Sequence, residues 1–100
     1  MEHKKLTKHH RYVLELSCKI IGDYDSISTN VELETRKRQL GEIDIVAQKG
    51  DHYDIYEVKC SPRIIKARKQ LARLKKHFNH ANTRTFFYCG NSKMLMMVGS

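Results

Sequence analysis

The stretch GEIDIVAQKGDHYDIYEVK carries two acids and a lysine, Asp44, Glu57 and Lys59, at positions that a single β-hairpin brings together. Gly50-Asp51 lies between two runs of alternating polar and apolar residues, the pattern of a two-residue turn with glycine first. With those two residues as the loop, Lys49 faces His52, and counting back along the ladder sets Asp44 directly opposite Glu57. Opposed side chains have Cβ atoms roughly 4.5–5.5 Å apart, and like charges there repel. Glu42 and Lys59 form the next pair on the same face, because side chains alternate with a period of two. Ile43, Ile45 and Ala47 against Tyr56 and Val58 make the other face, which is apolar and reads as core. A chain gains nothing by setting Asp44 against Glu57 unless a cation lies between them, so the spacing points to a metal site. A face that is merely solvated would also be charged, and Glu42 with Lys59 would then be an ordinary cross-strand pair worth little.

The chemistry that suits these groups is phosphodiester hydrolysis. It needs an activated water, neutralisation of charge building on the phosphate, and help for the leaving oxygen. A divalent ion supplies all three. Mg²⁺ prefers hard oxygen ligands and keeps several waters, so two carboxylates are enough to hold it, and Mn²⁺ is expected to substitute. Lys59, just beyond Glu57 on the same face, is placed to orient or deprotonate the attacking water or to stabilise the transition-state charge.

The rest of the chain fits a polyanionic partner. Nineteen Lys and Arg against eleven Asp and Glu give a formal charge of +8. That excess attracts nucleic acid. A membrane surface is the competing partner, but no basic amphipathic helix with large apolar anchors and no lipid signal is evident. One hundred residues make one domain, 1–100, and no apolar run approaches the roughly 20 residues that span a bilayer. The N-terminal MEHKKLTKHHRY is basic but lacks an apolar stretch and a cleavage site, so an intracellular, cytoplasmic protein is expected. Cys18, Cys60 and Cys89 are widely spaced, match no zinc pattern and read as reduced thiols. The six histidines show no paired ligand spacing with a carboxylate and read as solvated or phosphate-facing.

The elements that must position the acids follow from periodicity. A helix is predicted over about 9–21, with Val13, Leu16 and Ile20 in one stripe and Leu14, Cys18 and Ile21 in a second; Gly22 ends it. NVELET (30–35) alternates as a strand, and RKRQLG is a basic turn into the hairpin. Ser61-Pro62 ends the third strand and opens a second helix over about 62–78, with Ile64, Ala67, Leu71, Leu74 and Phe78 as its apolar stripe. Seven Lys or Arg and no acid lie from Arg63 to Phe78, with Lys66, Lys69, Arg73 and Lys76 opposite that stripe. RTFFYCG reads as a buried strand, and KMLMMV as either a last edge strand or a patch for a partner. The third strand, the helix and the fourth strand should form a parallel crossover. The expected fold class is α/β, in the order α-β-β-β-α-β, with a mixed sheet flanked by helices.

Asp44, the hairpin, and then Glu57-Val58-Lys59 resemble the D…(D/E)xK signature of the restriction-endonuclease-like nucleases, the PD-(D/E)XK superfamily. GEIDIVA followed by IYEVKCS is especially similar to the small archaeal-type Holliday junction resolvases. The resemblance covers most of the chain, since helix, three strands, helix and strand is that family's core order. It implies Asp44 and Glu57 as metal ligands, the Val58 carbonyl as a third, and Lys59 as the catalytic lysine. It also implies an assisting Gln70 and a further acidic ligand from the first helix, where Glu15 is the only acid. A boundary glutamine on an amphipathic helix explains Gln70 equally well. Glu42 is a further candidate, as a partner of Lys59 or an outer group. Arg36, Lys37 and Arg38 in the basic turn, with Lys66, Lys69, Arg73 and Lys76 on the second helix, are the candidate nucleic-acid contacts. No spare helix or zinc module remains to read sequence, so a structure-selective DNA endonuclease is expected, acting on branched, flapped or single-stranded DNA. A junction-cutting enzyme would be a homodimer, joined through the two-sided first helix or through 94–98. The alternative is a binding protein that keeps the fold and basic face without turnover, and RNA remains open as the partner.

Overall fold

A computed structural model of the chain describes residues 7–34, 37, 39–78 and 82–99, without the side chain of Leu40. Helix α1 (Lys8–Ile20) begins where Thr7 Oγ1 accepts the His10 N–H at 3.1 Å. This hydroxyl satisfies one of the amides that the first turn leaves without a partner. Val13, Leu16 and Ile20 are buried and fix the helix on the sheet, each contributing roughly 1.5–3 kcal/mol. The second stripe, Leu14, Cys18 and Ile21, is exposed. After the 3₁₀ turn Ile21–Asp23 come β1 (Ser26–Glu34), β2 (Gln39–Lys49) and β3 (His52–Lys59), then α2 (Ile64–Phe78), β4 (Thr83–Cys89) and β5 (Met94–Gly99).

The five strands form one sheet in chain order. All neighbours are antiparallel except β3 and β4, which run parallel on either side of α2. The predicted α/β class holds, and KMLMMV forms a fifth strand on the β4 edge. β1 starts four residues earlier than NVELET suggests, because Asn30 has a left-handed backbone (φ 54°) that interrupts the alternation midway. α2 starts two residues after Ser61-Pro62, beyond a turn in which the Arg63 N–H is bonded to the Ser61 carbonyl at 2.8 Å.

The helices cover opposite faces of the sheet. Val13, Leu16 and Ile20 pack on Ile45, Ala47, Tyr56, Val58 and Tyr88. Leu71 and Leu74 pack on Ile43 and Ile55, and Ala67 on Phe87 and Cys89. Ile43 therefore belongs to the α2 core, although alternation alone places it with Ile45 and Ala47. The break falls at Asp44, whose place in the β1 ladder lies opposite the left-handed Asn30, between the couples Val31–Ile43 and Thr29–Ile45. Gly90, just past β4, lets α1 settle close, since a Cβ there would fall 2.1 Å from the Tyr12 ring. Among the described residues no helix is long and apolar enough to cross a membrane.

Candidate functional site

The hairpin register is the one its turn requires. Lys49 pairs with His52, and the ladder continues to Ile45–Tyr56. Gly50 takes a positive φ of 60° and Asp51 does not, as a turn with glycine first demands. One step beyond Ile45–Tyr56 stand Asp44 and Glu57. There the strands exchange a side-chain contact instead of a backbone one, as Asp44 Oδ2 accepts the Val58 N–H at 2.8 Å. The Lys59 carbonyl faces β4, where it takes the Gly90 N–H at 2.8 Å. Backbone polar groups alternate flanks along a strand, so the Val58 carbonyl faces β2, on the side of Asp44.

Both acids are buried, Asp44 at 5 % exposure and Glu57 at 3 %. Burial pushes the Glu57 carboxyl up to about 9, reinforced by its hydrogen bond with Asp44 and by that neighbour's charge; Lys59 and the Val58 N–H partly offset this. Two carboxyl groups this close in a dry site cannot both ionise cheaply. Glu57 Oε2 is fully buried and has no hydrogen-bond partner. A buried carboxylate oxygen left unpaired is costly, and a cation is what relieves it. Asp44, Glu57 and the Val58 carbonyl are hard oxygen donors of the kind Mg²⁺ accepts together with its own waters. Among the described residues no three His, Cys, Asp or Glu side chains already converge on one ion position.

Lys59 Nζ donates to Gln70 Oε1 at 3.3 Å, so α2 anchors the lysine head. This explains why a glutamine stands on the flank of an apolar helix stripe. Glu42 is not the partner of Lys59. It is exposed and lies across from Glu32 of β1. Glu15 does not reach the acids either: its carboxylate is held by Lys93 at 2.7 Å and Lys19 at 3.5 Å, toward the turn between β4 and β5. That pairing keeps Glu15 ionised, with its pKa lowered by the Lys93 hydrogen bond. From α1 the side chain that does reach Asp44 is His9, whose Nε2 lies 3.2 Å from Oδ2. Reading the histidines as merely solvated missed it. The available signal was that His9 stands four residues before Val13 and continues the buried stripe Val13–Leu16–Ile20 at its N-terminal end.

Lys66, Lys69, Arg73 and Lys76 are all exposed on α2, and Lys37 is exposed in the turn before β2. Arg36 and Arg38 lie outside the described residues. Lys66, Lys69, Gln70 and Arg73 line a groove of about 390 Å³ with Gly41 and Leu74. The groove thus runs from the partner of Lys59 into the basic face of the helix.

A third buried acid went unremarked in the sequence. Asp54, 2 % exposed, takes Arg84 in a fork, Nε to Oδ1 at 2.8 Å and Nη2 to Oδ2 at 2.7 Å. The Tyr24 hydroxyl also donates to Asp54 and lies 2.6 Å from that of Tyr56. Its signal was an acid on the face that alternation assigns to Tyr56 and Val58. No protein-family model and no curated protein matches the chain.

Proposed function

We propose that the chain is a divalent-metal-dependent endonuclease that hydrolyses phosphodiester bonds in DNA. The observation that carries this reading is the buried acid pair Asp44 and Glu57, with one Glu57 oxygen orphaned and Lys59, anchored by Gln70, two residues further along the same strand. Asp44 and Glu57 hold the ion with the Val58 carbonyl. The ion, Mg²⁺ or Mn²⁺, supplies Lewis acidity and a water of lowered pKa. Lys59 meets the charge that builds on the phosphate, and Gln70 anchors its ammonium. Lys66, Lys69 and Arg73, along the groove that starts at Gln70, grip the flanking backbone. The resemblance of GEIDIVA and IYEVKCS to the restriction-endonuclease-like nucleases supports the same assignment.

Selectivity for branched, flapped or single-stranded DNA follows from a groove of lysines and arginines, which reads backbone and shape. A junction-resolving form works as a homodimer, for which the exposed Leu14 and Cys18 of α1 with Ile21 just past it, and the exposed Leu95 and Met97 of β5, are the apolar surfaces at hand.

The test is incubation with labelled four-way, flapped, duplex and single-stranded DNA and with RNA, with Mg²⁺ or with chelator, alongside melting curves with and without the ion. Cleavage and a metal-dependent rise in melting temperature are expected. Asp44→Asn is expected to lose the rise and to slow cleavage at least ~10³-fold while keeping salt-dependent binding. A wild type that binds nucleic acid but neither cuts nor responds to metal would leave only the binding-protein reading. Light scattering that finds a monomer on a four-way junction removes the resolvase form alone.

A further inference from the structure

Resting on the nucleic-acid reading above, we propose that α2 seats in the major groove of a DNA duplex and grips one backbone on each of its flanks, so that the substrate must present a double-helical arm. Seven Lys or Arg and no acid lie from Arg63 to Phe78. They do not all serve the groove that starts at Gln70. At about 100° per residue, Arg68 and Lys75 stand roughly 140–180° round the axis from Lys66 and Arg73, on the other flank of the buried stripe Ala67, Leu71 and Leu74. There they line a second groove, of about 500 Å³, walled by Thr85 of β4 and by Val98 and Gly99 of β5. Among the described residues neither cation is held in an ion pair. α2 thus lies between two cationic grooves, one bordered by Gly41 of β2 and one by β4 and β5.

Two rows of negative charge at that separation are what B-form DNA presents. A helix with its side chains is about 10–12 Å across, and the major groove, about 12 Å wide, admits it with a phosphate backbone on either side. A single strand supplies one row and leaves Arg68 and Lys75 idle. Duplex RNA supplies two, but its major groove is deep and too narrow for an inserted helix. The ridge of α2 between the grooves suits base edges: Ile65, Lys69, Ala72 and Lys76 recur at spacings of four, three and four, and all are exposed. Ile65 is 70 % exposed, and the thymine methyl is the apolar feature that the major groove offers it. Lys69 and Arg73 are like charges one turn apart, which costs the free helix stability and is offset when phosphates lie alongside. On this seating the backbone in the Gln70 groove is the one that passes Lys59, and the opposite strand serves as a handle.

The experiment is fluorescence anisotropy in chelator, so that no cutting intervenes. The full chain is titrated into labelled duplex DNA, single-stranded DNA, duplex RNA, and a DNA duplex whose pyrimidines carry bulky C5 substituents that fill the major groove. Open duplex DNA should bind at least ~10-fold more tightly than duplex RNA or the blocked duplex. The double variant Arg68→Ala with Lys75→Ala should lower the duplex salt slope by about two and lose at least ~3-fold more affinity for duplex than for single-stranded DNA. Equal affinity for open and blocked duplexes overturns the seat of α2, as does a double variant whose losses on duplex and single strand are the same. Binding that meets these marks in a chain that fails to cut with Mg²⁺ supports the seat and overturns the nuclease reading alone. Failure to bind any nucleic acid overturns both. Should the double variant not fold, the wild-type contrast between open and blocked duplexes decides the matter.

Discussion

Strand β3 carries two buried carboxylates three residues apart, and their surroundings are opposite in kind. Asp54 is saturated: a forked Arg84, a Tyr24 hydroxyl and, through it, Tyr56 account for its oxygens. Glu57 is starved: no cation pairs with it within 4 Å among the described residues, the neighbouring acid Asp44 opposes its ionisation, and Oε2 has no partner. The difference separates structure from chemistry. A buried charge that the fold has fully paired contributes to holding the sheet and Tyr24 together. A buried acid left short of partners costs stability once it ionises, and a fold that keeps it has a use for what would pair it.

The comparison is broken most severely at Asp54. Asp54→Ala leaves the Tyr24 hydroxyl and the half-exposed Arg84 guanidinium without their acceptor, and a loss of about 1–3 kcal/mol is expected, read as a lowered urea midpoint. A loss under about 1 kcal/mol would show that the cluster is not the tie it looks to be. Glu57 should behave the other way. Its folded pKa of about 9 lies above the ordinary 4.5, so the folded state binds the extra proton and stability falls as pH rises between those values. Metal-free wild type should therefore lose stability from pH 6 to pH 9, Glu57→Gln should flatten that fall, and saturating Mg²⁺ should also flatten it by pairing the charge. Melting curves across the pH series decide it, and an unchanged fall in Glu57→Gln would remove the strain from the acid pair. The smallest effect belongs to the groove. Lys69→Ala should weaken binding to every DNA shape alike and reduce the salt slope by about one, measured by fluorescence anisotropy at several salt concentrations. A shape-specific loss would mean that Lys69 reads structure rather than phosphate.

Much of the site was legible because it is local. The glycine-first turn at Gly50-Asp51 sets a register that carries through to Ile45–Tyr56, and the acids follow one step on. The α2 stripe was equally plain from spacing, and with it the exposed basic face. Gln70 was legible as a boundary residue, but its hold on Lys59 depends on how α2 lies over β3. The first helix shows where reading stops. Its acid and its histidine looked like a candidate and a bystander, yet Lys93, 78 residues away, claims Glu15, while His9 meets Asp44. A helix wheel gives the angle between two side chains and not which of them faces the neighbouring strand.

By itself the sequence determined the hairpin, its register and the amphipathic helices, since each is set by residues within one turn or one ladder of each other. Tertiary structure alone decided that Ile43 crosses to the α2 core, that β5 joins the β4 edge, that Arg84 and Tyr24 close on Asp54, and that His9 rather than Glu15 reaches Asp44. Those outcomes join residues far apart in the chain. Their geometry is fixed by packing helices on both faces of a twisted sheet, and no local pattern of residue types encodes it.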